Sequence, residues 1–227
     1  MDYGFLAENL NGQTVINDSQ PLYVEKRSGT MTGSNSGNYF GYYTISQTGN
    51  AVTTANEILL CSCAVGSWIA FGYTNLTGNT ASFRSDQSSI SFKVFGPRTD
   101  LAAPSGYGMA VFNSSGGCVW DAASTVTRIT DAGRLASATI TGSFPLTTTF
   151  QSATLTGSNA VFASGGPLIL NSPRPANNET FVVQMAARRT GTATWVLEQK
   201  KTDRFGWIGI VGDILFASDY SYILGTN

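Results

Sequence analysis

Short segments rich in β-branched and aromatic residues recur along the chain, and clusters of Gly, Asn, Ser and Pro separate them. Apolar and polar positions alternate within many of these segments, as in strands that bury one face. The 3.6-residue apolar period of an amphipathic helix is not sustained anywhere. We therefore expect an all-β chain that folds as an antiparallel β-sandwich. The predicted strands include Tyr39–Ile45, Glu57–Cys63, Ser67–Tyr73, Ser89–Phe95, Tyr107–Phe112, Cys118–Ala122, Phe181–Ala187, Thr194–Gln199, Phe205–Val211 and Asp213–Ala217.

Three segments are expected to differ from ordinary strands. Gly29–Asn38 consists almost entirely of Gly, Ser, Thr and Asn and is predicted to be an exposed arm. Asn171–Asn178 contains two prolines, which cannot donate to a strand ladder, and is predicted to be a loop. The tail Asp219–Asn227 is apolar for a terminus, so it either docks as an edge strand on its own sheet or adds to a neighbouring chain. The arm and the tail are the candidate interface segments.

The chain contains an internal repeat. Tyr3–Ile16 aligns without a gap on Tyr107–Trp120, 104 positions later. Each copy predicts a β-hairpin whose Asn-x-x-Gly turn places its glycine at positive φ. A weaker third copy lies at Phe205–Asp219. The identical pairs are Tyr3/Tyr107, Gly4/Gly108, Asn9/Asn113, Gly12/Gly116 and Val15/Val119.

The repeat suggests two related sandwich units, residues 1–123 and 124–227, with a boundary near Ser124. Pro97–Gly106 is a competing linker. The alternative is one continuous β domain that uses the same hairpin at several edges.

Composition limits the chemistry. The chain of 227 residues has no histidine, which excludes Ser–His–Asp and Cys–His catalysis and His-ligated zinc. Its carboxylates are scattered, and no pair stands out for glycoside hydrolysis. We expect no enzyme, no catalytic residue, no metal and no cofactor.

The net charge is −1, so nucleic acid is not an expected partner. Its apolar stretches are too short or too broken to span a bilayer, so we expect no membrane insertion.

The three cysteines do not form a recognisable framework. Cys61 and Cys63 lie two residues apart and therefore face the same side of a strand, and Cys118 is isolated. Their odd number and spacing suit no common zinc or redox motif. We predict buried thiols without disulfides, in a chain made in a reducing cytosol. The residues after Met1 lack a basic region and a long apolar run, so no signal peptide is expected.

The second copy of the repeat, Tyr107-Gly-Met-Ala-Val-Phe-Asn-Ser-Ser-Gly-Gly-Cys-Val-Trp-Asp121, resembles a motif found in small virion proteins of tailed bacteriophages. The resemblance is confined to the two hairpins. It implies a structural protein of the virion, made in the bacterial cytoplasm and placed at the tail tip, tail fibre or collar spike. It also implies partners: copies of itself, trimeric by analogy, and other virion proteins. The chain lacks collagen-like repeats and heptads, so a compact knob, spike, tip or decoration subunit is expected rather than a fibre shaft.

Aromatic residues are the candidate interface or ligand contacts. Near Asn, Gln and Asp they can stack on sugar rings or anchor a protein interface. The alternative is core packing, because a half-buried strand buries about every second side chain. Two other functions stay open: a carbohydrate-binding or receptor-binding protein that contacts a host cell-surface glycan or protein, and a capsid decoration protein. The candidates are Tyr39, Tyr42, Trp195, Trp207, Tyr220 and Tyr222.

Basic residues flank one predicted hairpin. Phe181–Ala187 and Thr194–Lys200 can pair through a turn at Thr190-Gly191-Thr192. Their ends carry Arg188-Arg189 and Lys200-Lys201. These charges either protect an edge strand or contact an acidic partner subunit.

Overall fold

The structure, a computed structural model of the chain, describes residues 6–8, 14–17, 22–35, 40–74, 81–102, 108–125, 128–135, 139–141, 147–149, 153–157, 160–164, 168–171, 180–205 and 220–226. These ranges contain strands and two single-turn 3₁₀ helices but no α-helix. The predicted all-β antiparallel fold is confirmed. The strands are β1 (Leu6–Glu8), β2 (Thr14–Asn17), β3 (Tyr23–Ser34), β4 (Tyr43–Ser46), β5 (Ile58–Ser62), β6 (Trp68–Thr74), β7 (Ala81–Ser85), β8 (Ser89–Pro97), β9 (Ala110–Phe112), β10 (Cys118–Asp121), β11 (Arg128–Leu135), β12 (Thr139–Thr141), β13 (Thr147–Thr149), β14 (Ala153–Thr156), β15 (Ala160–Ser164), β16 (Leu168–Asn171), β17 (Thr180–Gly191), β18 (Thr194–Phe205) and β19 (Tyr220–Thr226).

One antiparallel sheet of 13 strands dominates the described residues. Its order is β11-β19-β15-β5-β8-β3-β4-β7-β6-β17-β18-β14, and β16 pairs with β17. Strand β3 joins the two halves: its residues up to Thr32 pair with β8, and Gly33 and Ser34 pair with β4. Strands β1–β2, β9–β10 and β12–β13 form three separate two-stranded sheets. Among the described residues, no helix is long and apolar enough to cross a membrane.

The two halves of the sheet enclose one core, as in a sandwich. Buried side chains of β3, β5, β8 and β15 pack against those of β4, β6, β7, β14, β17 and β18. The core therefore binds the halves together by burial of apolar surface. It contains Met31, Ile45, Ala51, Leu59, Cys61, Cys63, Ile69, Phe71, Phe83, Ile90, Phe92, Val94, Leu155, Val161, Met185, Ala187, Trp195 and Leu197.

The prediction for the cysteines is confirmed: Cys61, Cys63 and Cys118 are buried and free. Burial raises the pKa of the Cys61 thiol far above its usual range and raises that of Cys63 to about 12. Both thiols stay protonated at neutral pH and act as small apolar core residues.

Main-chain pairing crosses the expected domain boundary at Ser124. Strand β15 pairs with β5 through Val161 and Cys61, and β17 pairs with β6 from Ala186 to Arg188. The division into residues 1–123 and 124–227 stays a prediction, and this pairing favours its alternative of one continuous domain. Within the competing linker Pro97–Gly106, Pro97 ends β8 and Arg98 is buried.

The prediction of an exposed arm at Gly29–Asn38 is wrong over Gly29–Ser34. These residues are the second half of β3 and pair with β8 from Gly29↔Phe92 to Thr32↔Ser89. Main-chain hydrogen bonds hold residues 29–34 in the sheet, so this segment needs few buried apolar side chains to form a strand. Within it only Met31 is buried. Residues 36–39 lie outside the described residues.

The tail is neither an edge strand nor an exchanged one in this fold. Strand β19 pairs with β11 on one side and with β15 on the other. Its main-chain donors and acceptors face partners of its own chain on both sides. The tail therefore docks on its own sheet, as one of the two alternatives predicted, but as an interior strand rather than at an edge. Its role as an interface segment stays a prediction.

Other predicted segments have mixed outcomes. The hairpin of β17 and β18 is confirmed, but its turn is at Thr192 and Ala193, because the predicted turn residues Thr190 and Gly191 belong to β17. Of the predicted loop Asn171–Asn178, all but Asn171 lies outside the described residues. The same is true of the third repeat copy after Phe205.

The repeat corresponds to two hairpins with the same register. The pairs Leu6↔Asn17, Ala7↔Ile16 and Glu8↔Thr14 recur 104 positions later as Ala110↔Asp121, Val111↔Trp120 and Phe112↔Cys118. In both hairpins the pairing skips one residue, Val15 in the first and Val119 in the second, which is the pattern of a β-bulge. The first hairpin (β1–β2) and the second hairpin (β9–β10) are therefore copies in backbone register as well as in sequence.

The turn of the second hairpin follows the predicted chemistry. Gly116 has φ +81°, a conformation that L side chains rarely adopt. The Asn113 Oδ1 atom accepts hydrogen bonds from the amides of Ser115, at 3.1 Å, and Gly117, at 2.8 Å. The Asn-x-x-Gly motif thus supplies both the side-chain acceptor and the left-handed residue of this turn.

A buried ion pair fastens the second hairpin to the large sheet. The Arg98 guanidinium, which follows β8, donates from Nε to the Asp121 carboxylate, and both side chains are 4% exposed. Asp121 also accepts hydrogen bonds from the Ala123 amide and the Ser124 hydroxyl. The Leu22 amide donates to the Val119 carbonyl at 3.1 Å. Burial raises the pKa of Asp121, but the hydrogen bonds that its carboxylate accepts outweigh burial and hold this pKa below its usual value.

Candidate functional site

The outer face of β6, β17 and β18 carries a cluster of aromatic rings around a lysine. Its floor is formed by Ala70 and Ala186, which are cross-strand neighbours and fully buried. Because both side chains are a single methyl group, they leave room for the Trp68 ring, and the three residues form one buried group. We call Phe40, Tyr42, Trp68 and Lys200 the aromatic–lysine cluster.

Two rings of this cluster are partly exposed and stacked. The Phe40 and Tyr42 ring centroids are 5.6 Å apart, and the ring planes differ by 23°. Gly41, between them, has φ +72°, so a side chain at this position would strain the turn that sets the two rings against each other. Tyr42 meets Trp68 edge to face, with centroids 4.7 Å apart. We call the stacked rings of Phe40 and Tyr42 the aromatic platform. The buried Trp68 ring packs against its Tyr42 side.

The ammonium group of Lys200 lies over the rings of Trp68 and Tyr42. Its Nζ atom is 4.3 Å from the Trp68 ring centroid and 5.7 Å from that of Tyr42, within cation–π distance. Burial lowers the pKa of Lys200, partly offset by the charges of Glu198 and Asp86. Burial also raises the pKa of Tyr42, with a further contribution from Asp86. Lys200 is therefore partly desolvated, and its charged form is less favoured than that of a lysine in water.

Charged and polar side chains surround the cluster. Arg188 pairs with Glu198 through contacts of 3.2 and 3.4 Å. Asp86 Oδ1 accepts a hydrogen bond from the Trp68 amide at 3.2 Å. Gln184 is the cross-strand partner of Lys200 and is 8% exposed, and its buried Oε1 atom has no hydrogen-bond partner among the described residues.

The predicted contact residues are distributed over different parts of the fold. Tyr42 belongs to the aromatic–lysine cluster. Trp195 is 0% exposed in the core, with the Arg189 guanidinium 5.8 Å from its ring centroid, so core packing holds at this position. Tyr220 and Tyr222 are in β19, but their side chains, like Tyr39 and Trp207 as a whole, lie outside the described residues.

Sequence reasoning missed the roles of Trp68 and Lys200. Trp68 was placed on a strand and Lys200 among basic residues, but nothing linked them, because they are more than 130 positions apart. The one local signal is the spacing Trp68-x-Ala70, which puts a large ring beside a small residue on one face.

A second polar cluster fastens β3 to the segment before β5. Arg27 donates from Nη1 and Nη2 to the two carboxylate oxygens of Glu57, each at 2.6 Å, and Lys26 Nζ is 3.5 Å from Glu57 Oε1. The Thr54 amide donates to Glu57 at 2.8 Å. Chiefly through the Arg27 hydrogen bonds, which outweigh burial, the pKa of Glu57 falls to about 2.

We expect the contribution of Glu57 to stability to disappear in acid. Its pKa is lower in the folded chain than the unfolded value of about 4.3, so the contribution is complete above about pH 5 and is lost as the pH falls towards 2. The measurement is the free energy of unfolding of the wild type and of Glu57→Gln between pH 2 and 7. The difference between them should shrink with falling pH. A difference independent of pH would contradict the assignment, and Glu198→Gln, in a more exposed pair, is the control with a smaller effect at every pH.

The aromatic–lysine cluster can stack a flat or ring-shaped apolar face, and its lysine can donate hydrogen bonds to an oxygen. Within the described residues, no group of three or more Cys, Asp or Glu side chains is placed to hold a metal ion. Protein-family models, curated proteins and solved structures were all compared with the chain, and none matched it.

Proposed function

We propose that the chain is a structural component of a tailed-phage virion, at the tail tip, tail fibre or collar spike, and that it contributes to host attachment. The observation that carries the proposal is the repeated hairpin. The motif that resembles virion proteins coincides in both copies with a two-stranded unit of the same register and bulge. A motif that coincides with a complete hairpin supports the resemblance to virion proteins better than an isolated sequence match would.

The surface of the second hairpin is consistent with assembly. Met109 is 57% exposed and Phe112 is 47% exposed, and both are among the few large apolar side chains exposed in the described residues. The buried ion pair of Arg98 and Asp121 holds the hairpin against the sheet. A rigid hairpin with apolar side chains in water suits contact with another virion subunit.

The first test locates the chain on the particle. Particles of the virus that encodes the chain are purified to constant density, analysed by quantitative mass spectrometry and labelled with gold-conjugated antibody. We expect a fixed copy number per particle and labelling at the tail or collar. Labelling over the head lattice would instead identify a decoration protein, and absence from the particles would refute a virion role. Light scattering of the purified chain tests the homo-oligomer, for which a trimer is expected.

A second candidate function, saccharide recognition, is favoured by a separate observation. Phe40 and Tyr42 form a nearly parallel, partly exposed pair, and Asp86 is close enough to influence the ionisation of Tyr42. Saccharide rings stack on exposed aromatic faces while carboxylates and amides bind their hydroxyl groups. This function is compatible with the first, since an attachment protein has to recognise a cell surface.

We expect Tyr42→Ala to weaken binding to a host cell-wall preparation or glycan array by about tenfold or more, because it removes half of the stacked pair. The matched control is Tyr23→Ala, a partly buried tyrosine that packs with Leu60 and Phe95 elsewhere in the fold. Thermal unfolding checks that both variants fold. Equal binding by the wild type and the two variants would exclude the cluster as the saccharide site.

A further inference from the structure

The ammonium group of Lys200 has donors that none of the described residues uses. Its contacts among the described residues are with the faces of Trp68 and Tyr42, and within that part of the chain no oxygen accepts a hydrogen bond from Nζ. An ammonium group has three donors and is strongly hydrated when free. The half-buried ammonium group has lost part of that hydration, and the described residues supply no acceptor in its place.

The two carboxylates that act electrostatically on Lys200 have other hydrogen-bond partners. Glu198 pairs with Arg188, and Asp86 accepts from the Trp68 amide and lies 3.5 Å from the Ser85 hydroxyl. These two groups influence Lys200 through space but make no ion pair with it among the described residues. The positive charge of Lys200 therefore lacks a contacting counter-ion in this part of the structure.

A second incomplete group lies next to Lys200. Gln184 and Lys200 are cross-strand partners, so their side chains are on the same face of the sheet. The Gln184 amide oxygen is buried without a donor among the described residues. A buried acceptor of this kind normally has a partner, since leaving it unpaired costs about 1–3 kcal/mol. Among the described residues, this face thus has a lysine without an acceptor beside a glutamine oxygen without a donor.

We propose that the aromatic–lysine cluster binds an anionic saccharide, with the sugar ring stacked on Phe40 and Tyr42 and a carboxylate or phosphate oxygen accepting hydrogen bonds from Lys200. A neutral sugar uses the aromatic platform but leaves the ammonium group unsatisfied. The inference rests on the saccharide-binding function proposed above and specifies the charge of its ligand.

Isothermal titration calorimetry on the full chain tests this assignment with two pairs of probes. The pairs are trigalacturonate against neutral galactotriose, and galactose 6-phosphate against galactose. We expect one anionic probe or both to bind at least tenfold more tightly than its neutral counterpart, and which of them binds identifies the anion. We expect Lys200→Met, which keeps the aliphatic stem, to abolish that preference. Lys200→Arg should retain it.

Lys93→Met is the matched control, because Lys93 is half-buried on another strand, paired with Glu25 at 3.0 Å, and should leave binding unchanged. Thermal unfolding verifies that each variant is folded. Equal affinity for neutral and anionic probes, with no effect of Lys200→Met, would overturn the anionic specificity and leave the saccharide function standing. Absence of binding to all four probes and to the glycan array would overturn both.

Discussion

Replacement of Arg98 by methionine is expected to lower the free energy of unfolding by about 3–5 kcal/mol. The guanidinium of Arg98 and the carboxylate of Asp121 are both 4% exposed, so removing one leaves the other charge buried without its counter-ion. Arg98 also donates from Nη1 to the carbonyls of Leu101, at 3.3 Å, and Ala102, at 3.0 Å, and these acceptors would lose their donor. Denaturant titration of the wild type and the variant measures the effect.

Two further variants separate the ion pair from general damage. The double variant Arg98→Met with Asp121→Leu removes both charges and should recover part of the lost stability, as replacement of a buried pair by apolar side chains often does. Arg188→Met breaks a pair whose side chains are 41% and 30% exposed, and we expect a loss of about 0–1 kcal/mol. If Arg98→Met is no more destabilising than Arg188→Met, the ion pair is not what holds the second hairpin.

Replacement of Trp195 by alanine should destabilise the fold by about 3–5 kcal/mol, the range for large-to-small changes at buried aromatic positions. Trp195 has no exposed surface and lies in the core that joins the two halves of the sheet. The change removes its apolar contacts and leaves a cavity that the surrounding strands fill only in part. Denaturant titration again provides the measurement.

Val65→Ala is the surface control for this prediction. Val65 is exposed, and a surface substitution of this kind usually changes stability by less than about 0.5 kcal/mol. The Trp195 variant also distinguishes the two interpretations of this residue made from the sequence. A core residue affects unfolding, whereas a ligand contact would affect binding with little change in the unfolding midpoint.

Local sequence signals were sufficient to predict the hairpins. The Asn-x-x-Gly turn at Asn113–Gly116 fixes its own geometry through the Asn113 side chain and the left-handed glycine, so it needs no distant residue. The pairing of β17 with β18 is similarly local, since a two-residue turn joins two strands of alternating pattern. Repetition of the same register in the first hairpin shows that this short stretch of sequence specifies its pairing and its bulge.

Amino-acid composition gave wrong predictions for segments whose strand partners are distant in the sequence. Gly29–Ser34 has the composition of a loop, yet β8 lies alongside it and supplies main-chain partners from about 60 positions further along the chain. The tail was expected either at an edge of its own sheet or on a neighbouring chain, but β19 lies between β11 and β15. Neither neighbour is visible in the tail's own sequence, because strand order depends on the path of the whole chain.

The sequence by itself determined the all-β class, the free buried cysteines, the repeated hairpin and the exclusion of histidine chemistry, since each depends on residue type or on neighbours within a few positions. Only the tertiary structure decided which aromatic residues are exposed and which charges are paired. Tyr42 and Trp195 both fall within strands predicted from the sequence, but Tyr42 precedes β4 and is partly exposed, whereas Trp195 is in the core. Trp68 and Lys200 meet because β17 lies between β6 and β18, with Ala70 and Ala186 as the floor between them. Sheet order and register, set by burial of the whole core, place these side chains together, and no local pattern encodes that placement.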